Sequence, residues 1–273
     1  MSKSPRFTSN LTAYLLSALC AFAIEASATT GITLNSGNSV ANIDPYQQMG
    51  MNTWYVDGQN QLYQQWFWYR VGSNREYSID TIGNPTVVQN SANQATSTYS
   101  AAGFNVSIVY NLQGGANGSG NSTINETITI NNTTGSPLDF HFFQYSDYNL
   151  GGVDQDIVQI QPGFGYALVK SGALSLGEVV TSPSANNGEV APYNQTLVKL
   201  NNGVADNLNG SIGPSLPGDN TFAFQWDFTI GPNGSQQISK VKSLAVVVVP
   251  EPTSAGLALL GVVMFVSRRF LKK

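Results

Sequence analysis

Cysteine is nearly missing from this chain of 273 residues: Cys20 is the only one. It lies in an apolar stretch near the amino terminus. The rest of the chain can therefore form no disulfide and offers no thiol nucleophile. Histidine is as scarce. His141 is the only one, which excludes a histidine-rich zinc site and leaves any serine–histidine relay short of parts. Set between Phe140 and Phe142, on a face shared with Asp139 and Phe143, His141 reads as a structural strand residue. Charge is thin, at 10% of residues. Between Thr29 and Val249 acidic residues outnumber basic ones and the net charge is near −8. That balance disfavours nucleic acid and anionic membrane surfaces as partners.

Apolar runs are short and confined to the ends. Lys3 and Arg6 precede an apolar core from Leu11 to Ile24, and Ala26-Ser27-Ala28 fits the small-x-small cleavage rule. Residues 1–28 are therefore expected to be a signal peptide, helical in its core and removed after Ala28 by signal peptidase. Leu19 stands where a lipobox before Cys20 would need a small residue. At the other end, Pro250-Glu251-Pro252 can neither continue a strand ladder nor sit deep in a helix. An uncharged stretch, Thr253 to Val266, follows, and then Arg268, Arg269, Lys272 and Lys273. A helix of about 15 residues spans roughly 22 Å, short of the ~30 Å hydrocarbon core, so it suits a transient membrane anchor. The basic end would stay in the cytoplasm and the body would lie on the other side.

Triplet, apolar run and basic end, in that order, resemble the PEP-CTERM sorting signal of Gram-negative bacteria. The resemblance implies recognition of residues 250–273 by an exosortase, a membrane-embedded transpeptidase. It further implies an inner-membrane-tethered intermediate and release to the cell surface or an extracellular matrix.

Residues 29–249 read as one domain, without a linker or a fixed repeat. Period-two alternation dominates. Phe104, Val106, Ile108, Tyr110 and Leu112 oppose Asn105, Ser107 and Asn111. Beyond the turn at Gly114–Gly120, Ile124, Ile128 and Ile130 oppose Thr123, Asn125, Thr127 and Thr129. Further strands are expected from Leu138 to Tyr145, Phe222 to Ile230 and Leu244 to Val249, with one short helix around Tyr193 to Leu200. The expected fold class is all-β, a large antiparallel β-sandwich. In size it is similar to the supersandwich of galactose mutarotase. A site of that kind uses histidines with a carboxylate base, which a single histidine cannot supply, so the activity does not follow from the size.

Candidate chemistry is sparse. In Gln65-Trp66-Phe67-Trp68-Tyr69-Arg70, both faces are apolar, as a central strand covered on both sides requires. Core packing explains this best. The functional alternative is a sugar-stacking platform of Trp66 and Trp68 with Trp54. Asp147, Asn149, Asp154 and Asp156 form the densest set of oxygen ligands, with Gly151 and Gly152 to bend the loop. Calcium favours such oxygens, but the spacing is not that of an EF-hand, and a solvated acidic turn is expected, with no cofactor. Glu126 interrupts an apolar face, where a carboxylate needs a partner; Arg70 and Arg75 are candidates. Glu76, Asp80, Glu126, Glu178 and Glu189 are the carboxylates from which a hydrolytic pair could come, and no local motif joins any two. Several Asn-x-Ser/Thr sequons, Asn105, Asn117, Asn121, Asn125 and Asn194 among them, reflect composition.

The expectation from sequence is an exported, non-enzymatic protein of the cell surface or exopolysaccharide matrix. The alternative is a carbohydrate-binding module or carbohydrate-active enzyme. Carboxylates clustered in a cleft would favour the enzyme, an exposed Trp row the binding module, and a featureless polar surface the matrix role. A chain lacking Pro250–Lys273 is expected to fold its body and lose normal processing. Identical handling of the full-length chain in cells with and without the exosortase would refute the reading of the tail.

Overall fold

Alternating side chains oblige each strand to bury one face, and here the solution is two sheets laid against each other. The computed structural model describes residues 31–246. The expected signal peptide with Ala26 and Ala28, and the tail with Pro250, Glu251, Pro252, Arg268 and Arg269 and its apolar helix, lie outside the described residues. Among the described residues no helix is long and apolar enough to cross a membrane.

In chain order the strands begin with β1 (Ile32–Ser36), β2 (Ser39–Asp44), β3 (Gly50–Val56), β4 (Gln59–Asn60) and β5 (Leu62–Val71). Next come β6 (Tyr77–Ser78), β7 (Thr86–Ser91), β8 (Gln94–Ser100), β9 (Phe104–Gly114), β10 (Ser122–Asn132) and β11 (Leu138–Tyr148). The last are β12 (Ile157–Ile160), β13 (Tyr166–Ser171), β14 (Leu174–Ser182), β15 (Asn187–Pro192), β16 (Asn220–Ile230) and β17 (Ser235–Val246). Between β15 and β16 lies α1 (Gln195–Asn201), the short helix expected around Tyr193 to Leu200. The first sheet has nine strands, in the order β1-β2-β3-β5-β11-β16-β15 with β4 and β6 at its side; the second has eight, in the order β12-β13-β14-β17-β10-β9-β8-β7. Pairing is antiparallel throughout except for a short parallel contact of Gly50 and Met51 on β3 with Gln65 on β5. Gly50 sits there at φ +55°, and a Cβ would fall 2.0 Å from the Trp66 ring, so only glycine fits.

The all-β sandwich is thus present, with longer strands than the sequence marked. β11 continues past Tyr145 to Tyr148, and β17 starts at Ser235 rather than Leu244. β5 is buried on both faces, as its apolar run required. Phe67, Phe142 and Trp226 line the inner face of the first sheet, with Phe67 and Phe142 stacked at 5.4 Å between centroids. Phe104 on β9 reaches across to Phe140 on β11, edge to face at 5.1 Å. Each such ring, fully buried, contributes about 1.5–3 kcal/mol of transfer free energy.

One inner layer is ionic. Glu126 on β10, Lys240 and Lys242 on β17 and Glu178 on β14 are all at most 1% exposed. Glu126 pairs with both lysines, and Lys240 lies 3.3 Å from Glu178. The first sheet answers with Gln144, which donates to Glu178 at 2.7 Å and accepts from Lys240, and with Gln65, which accepts from Lys242 at 3.3 Å. Burial alone would raise the Glu126 pKa, but the two ammonium groups outweigh it and hold the carboxyl below its ordinary value. The expectation of an arginine partner for Glu126 is corrected here. Arg70 lies on the opposite face of β5 from Gln65 and pairs with Glu76 at 2.6 Å. Arg75 stacks on Tyr77.

Glu126→Gln leaves two buried ammonium groups against one carboxylate. It is expected to lower stability by about 3–5 kcal/mol, read as a fall in the urea midpoint. Lys170→Gln, at an exposed position, serves as the control and should stay within about 0.5 kcal/mol. Equal midpoints for the two variants would contradict the structural role of the quartet.

Candidate functional site

Residues opposite one another in the ladder share a face. On β11, Gln144 points between the sheets, so His141, Phe143, Tyr145 and Asp147 project from the outer face, beside Arg70, Trp68, Trp66 and Gln64 of β5. Most of that outer face is covered. A strap formed by α1 and the loop to Gly210 lies across it, pinned at several points. Glu189 accepts from Thr196 at 2.8 Å, from the Asn209 N–H at 2.9 Å and from Lys199. Arg70 donates to the Asp206 carbonyl at 2.7 Å and to Asn207 at 2.8 Å, and Gln225 accepts from the Leu208 N–H at 2.9 Å. Leu200 and Leu208 are buried beneath it.

Where the strap begins, the face stays open. A cavity of about 160 Å³ is lined there by Tyr63, Asp147, Asn149, Asp154, Tyr193 and Asp219. Asp147 lies near the end of β11, opposite Gln64 on β5 and Thr221 on β16, where a register shift follows. Asn149 and Asp154 come from the loop after β11, bent at Gly151 and Gly152 with φ of 73° and 75°. Asp219 immediately precedes β16, and its carbonyl accepts from the Tyr193 N–H at 2.9 Å. The rings of Tyr63 and Tyr193 meet edge to face at 6.0 Å, and both are substantially exposed.

The wall of this cavity is an uncompensated carboxyl group. Asp147 is 1% exposed, its Oδ1 has no hydrogen-bond partner, and its Oδ2 has one long contact with the Tyr145 hydroxyl at 3.4 Å. Burial, followed by the charge of Asp219, pushes its pKa up to about 7. Behind it Asp156 is equally buried, with Oδ1 unpartnered, and burial pushes that pKa up to about 8. Asp219 is raised as well, by burial and then by Asp154.

The structure therefore gathers three residues of the 147–156 set, Asp147, Asn149 and Asp154, around one cavity, with Asp156 just behind. Among the described residues no three acidic, histidine or cysteine side chains converge closely enough to hold a metal ion. The sugar platform is corrected. Trp54, Trp66 and Trp68 are all 0% exposed, and their indole N–H groups donate to Ser122 at 3.0 Å, Ser78 at 2.8 Å and Asn201 at 3.2 Å. An indole stacked on sugar needs one open face, and these have none. Glu126, Glu178, Glu76 and Glu189 are bound in internal ion pairs or hydrogen bonds, and Asp80 bonds Ser78 and Trp66. His141 bonds Asp227 at 2.5 Å on the outer face, with Asp139 at 3.4 Å. It is six residues from Asp147, about 20 Å along the strand. Tyr63, Tyr193 and Asp219 were not marked by any local motif. Their signal is positional only, because three distant segments end at the same edge.

No family model matches this chain, and no curated protein matches it. Solved structures match in fold. A putative aldose 1-epimerase from Escherichia coli K12 superposes with a TM-score of 0.56 at 11% identity, over 80% of this chain and 99% of that one. A bacterial glucoamylase complexed with acarbose gives 0.56 at 8%, over 85% of this chain and 36% of the other, so the chain spans about a third of that enzyme. A galactose mutarotase-like protein from Lactobacillus casei gives 0.51 at 9%, over 79% and 100%. The expectation of a non-enzymatic role is corrected by these findings in favour of the alternative reading. The three structures are described as a putative aldose 1-epimerase, a glucoamylase and a galactose mutarotase-like protein, which favours the carbohydrate-active alternative, and the surface is not featureless but holds clustered carboxyl groups in a cavity.

Asp147 and Asp156 keep their protons when folded at pH values where the unfolded chain has released them. Their contribution to stability is full below about pH 4 and is lost as the pH rises through about 7 to 8. Melting temperature is expected to fall between pH 5 and pH 8.5, and Asp147→Asn or Asp156→Asn should each flatten that slope. A slope unchanged in both variants would show that these carboxyl groups ionise normally.

Proposed function

We propose that the domain is carbohydrate-active and that its sugar site is the cavity of Tyr63, Asp147, Asn149, Asp154, Tyr193 and Asp219. One observation carries this reading. Asp147 is buried at the cavity wall, lacks a partner at Oδ1, and changes protonation near neutral pH. A general acid or base works best when its pKa lies near the operating pH. At about 160 Å³ the cavity is below the usual ~300–1,000 Å³ of ligand pockets, which suits a single sugar ring rather than the interior of a chain. The exposed tyrosine rings offer apolar faces to sugar C–H groups, while Asn149, Asp154 and Asp219 offer hydrogen bonds to hydroxyls.

The chemistry such a site supports is proton transfer at the anomeric centre. Protonated Asp147 gives its proton to the ring oxygen while a second carboxylate, assigned to Asp219, takes the proton of the anomeric hydroxyl. The bond from anomeric carbon to ring oxygen breaks and the carbonyl form results; reclosure on the other face gives the other anomer. This route uses carboxyl groups where the single histidine cannot serve. The proportions of the two sheets support the finer description of the fold as a supersandwich. The tail, on its residues alone, keeps its proposed role as an export segment processed by an exosortase after signal peptidase has acted.

The test is anomer exchange of unlabelled hexoses followed by saturation-transfer NMR on the full-length chain. Acceleration over buffer is expected, with loss of about 10²–10⁴-fold in Asp147→Asn. Failure to accelerate exchange or bind any hexose at millimolar concentration would dismiss the proposal.

A further inference from the structure

Three of the six side chains lining the cavity are aspartates, and none carries positive charge. The ammonium of Lys199 on the strap is taken by Glu189 of β15. Resting on the sugar reading above, we infer that this pocket selects a sugar bearing a protonated amine, a hexosamine, over neutral and anionic sugars.

The inference rests on what the empty wall lacks. Asp147 is 1% exposed, its Oδ1 has no partner and its Oδ2 has only the long Tyr145 contact, so its charged form is poorly stabilised. Every titratable group facing it adds negative charge or none: Asp219, Asp154 and Asp156 from the loops, Tyr145 from its own strand, and Tyr193. An ammonium group beside Asp147 supplies the missing countercharge and a charge-assisted donor, and Asp154 and Asp219 add attraction at longer range. Tyr63 and Tyr193 line the cavity and are substantially exposed, and an open aromatic face attracts a cation through the ring quadrupole. A neutral sugar leaves the carboxyl protonated and gains only ordinary hydrogen bonds. A uronate adds a fourth carboxylate and is repelled. A divalent ion would need at least three converging ligands, which the described residues do not bring together.

A distinctive signature follows. Near pH 6 the empty pocket holds a proton on Asp147, and an arriving ammonium favours its release, so binding of the amine expels a proton whereas binding of glucose does not. The experiment is calorimetric titration of the full-length chain near pH 6 in two buffers of different ionisation enthalpy. The ligands are glucosamine, glucose, N-acetylglucosamine and glucuronate. Glucosamine is expected to bind at least ~10-fold tighter than glucose or N-acetylglucosamine, with proton release. Glucuronate is expected to bind weakest. Asp154→Asn, an exposed position, should reduce the preference for glucosamine over glucose about threefold or more; Asp147→Asn should abolish proton release. Equal affinity for glucosamine and glucose would overturn the selectivity while leaving the sugar site standing. Binding of no sugar would overturn both. Calcium alone, titrated the same way, is expected to bind no tighter than millimolar. Micromolar affinity would make the pocket a metal site and overturn the inference.

Discussion

Glu126, Glu178, Lys240 and Lys242 are enclosed between the two sheets, and the rest of the fold is arranged so that none of them is left alone. A buried ion pair gives little net stability over an apolar replacement, but a buried charge without its partner is strongly destabilising. The quartet therefore acts as a register lock. Glu126 stands opposite Lys240, and Lys242 opposite Glu178, across the ladders β10–β17–β14. A slip of one residue would turn one strand's charges to the outside and leave the others unpaired. Gln144 and Gln65 extend the lock to the opposite sheet, so β5 and β11 are held in one position relative to β14 and β17.

That placement carries through to the cavity. Gln144 and Asp147 are three residues apart on β11, and the pleat sends them to opposite faces. Fixing the inner residue thus fixes the outer carboxyl. The strap then decides how much of the outer face remains accessible. Glu189 and Glu76 anchor it over Trp68, Arg70 and Gln225, and it leaves open the edge where Tyr193 precedes α1. Two of the five carboxylates that the sequence nominated for catalysis, Glu76 and Glu189, are spent on holding this cover in place. Asp147, by contrast, has no internal task that satisfies its oxygens, and this separates it from Glu76 and Glu189.

The net negative charge of the body has a local counterpart. Asp147, Asp154 and Asp219 line one opening that has no cationic side chain in its lining, and Asp156 is buried close to them. Such an arrangement raises pKa values and opposes the charged state, which is costly to the folded protein above neutral pH. Groups held in this condition are characteristic of sites whose ligand completes the electrostatics.

Much of the frame could be read from local pattern. Alternation marked β9, β10, β11 and β16, the double-sided apolar run marked β5 as central, and the lone acidic residue at 126 was recognisable as an inward group in need of a partner. The acidic segment from Asp147 to Asp156 was visible as a cluster of oxygen ligands. These features depend on residues two or a few positions apart, and neighbours in sequence determine them. What the tertiary structure decided was who meets whom. Lys240 and Lys242 reach Glu126 across more than a hundred residues, and Trp54, Trp66 and Trp68 are sealed in the core rather than displayed. Tyr63, Tyr193 and Asp219 join Asp147 from strands and loops that only sheet order and register bring to one edge. Side-chain period is local, but register between distant strands is set by the summed packing and pairing of the whole sandwich, and no short window of sequence contains that sum.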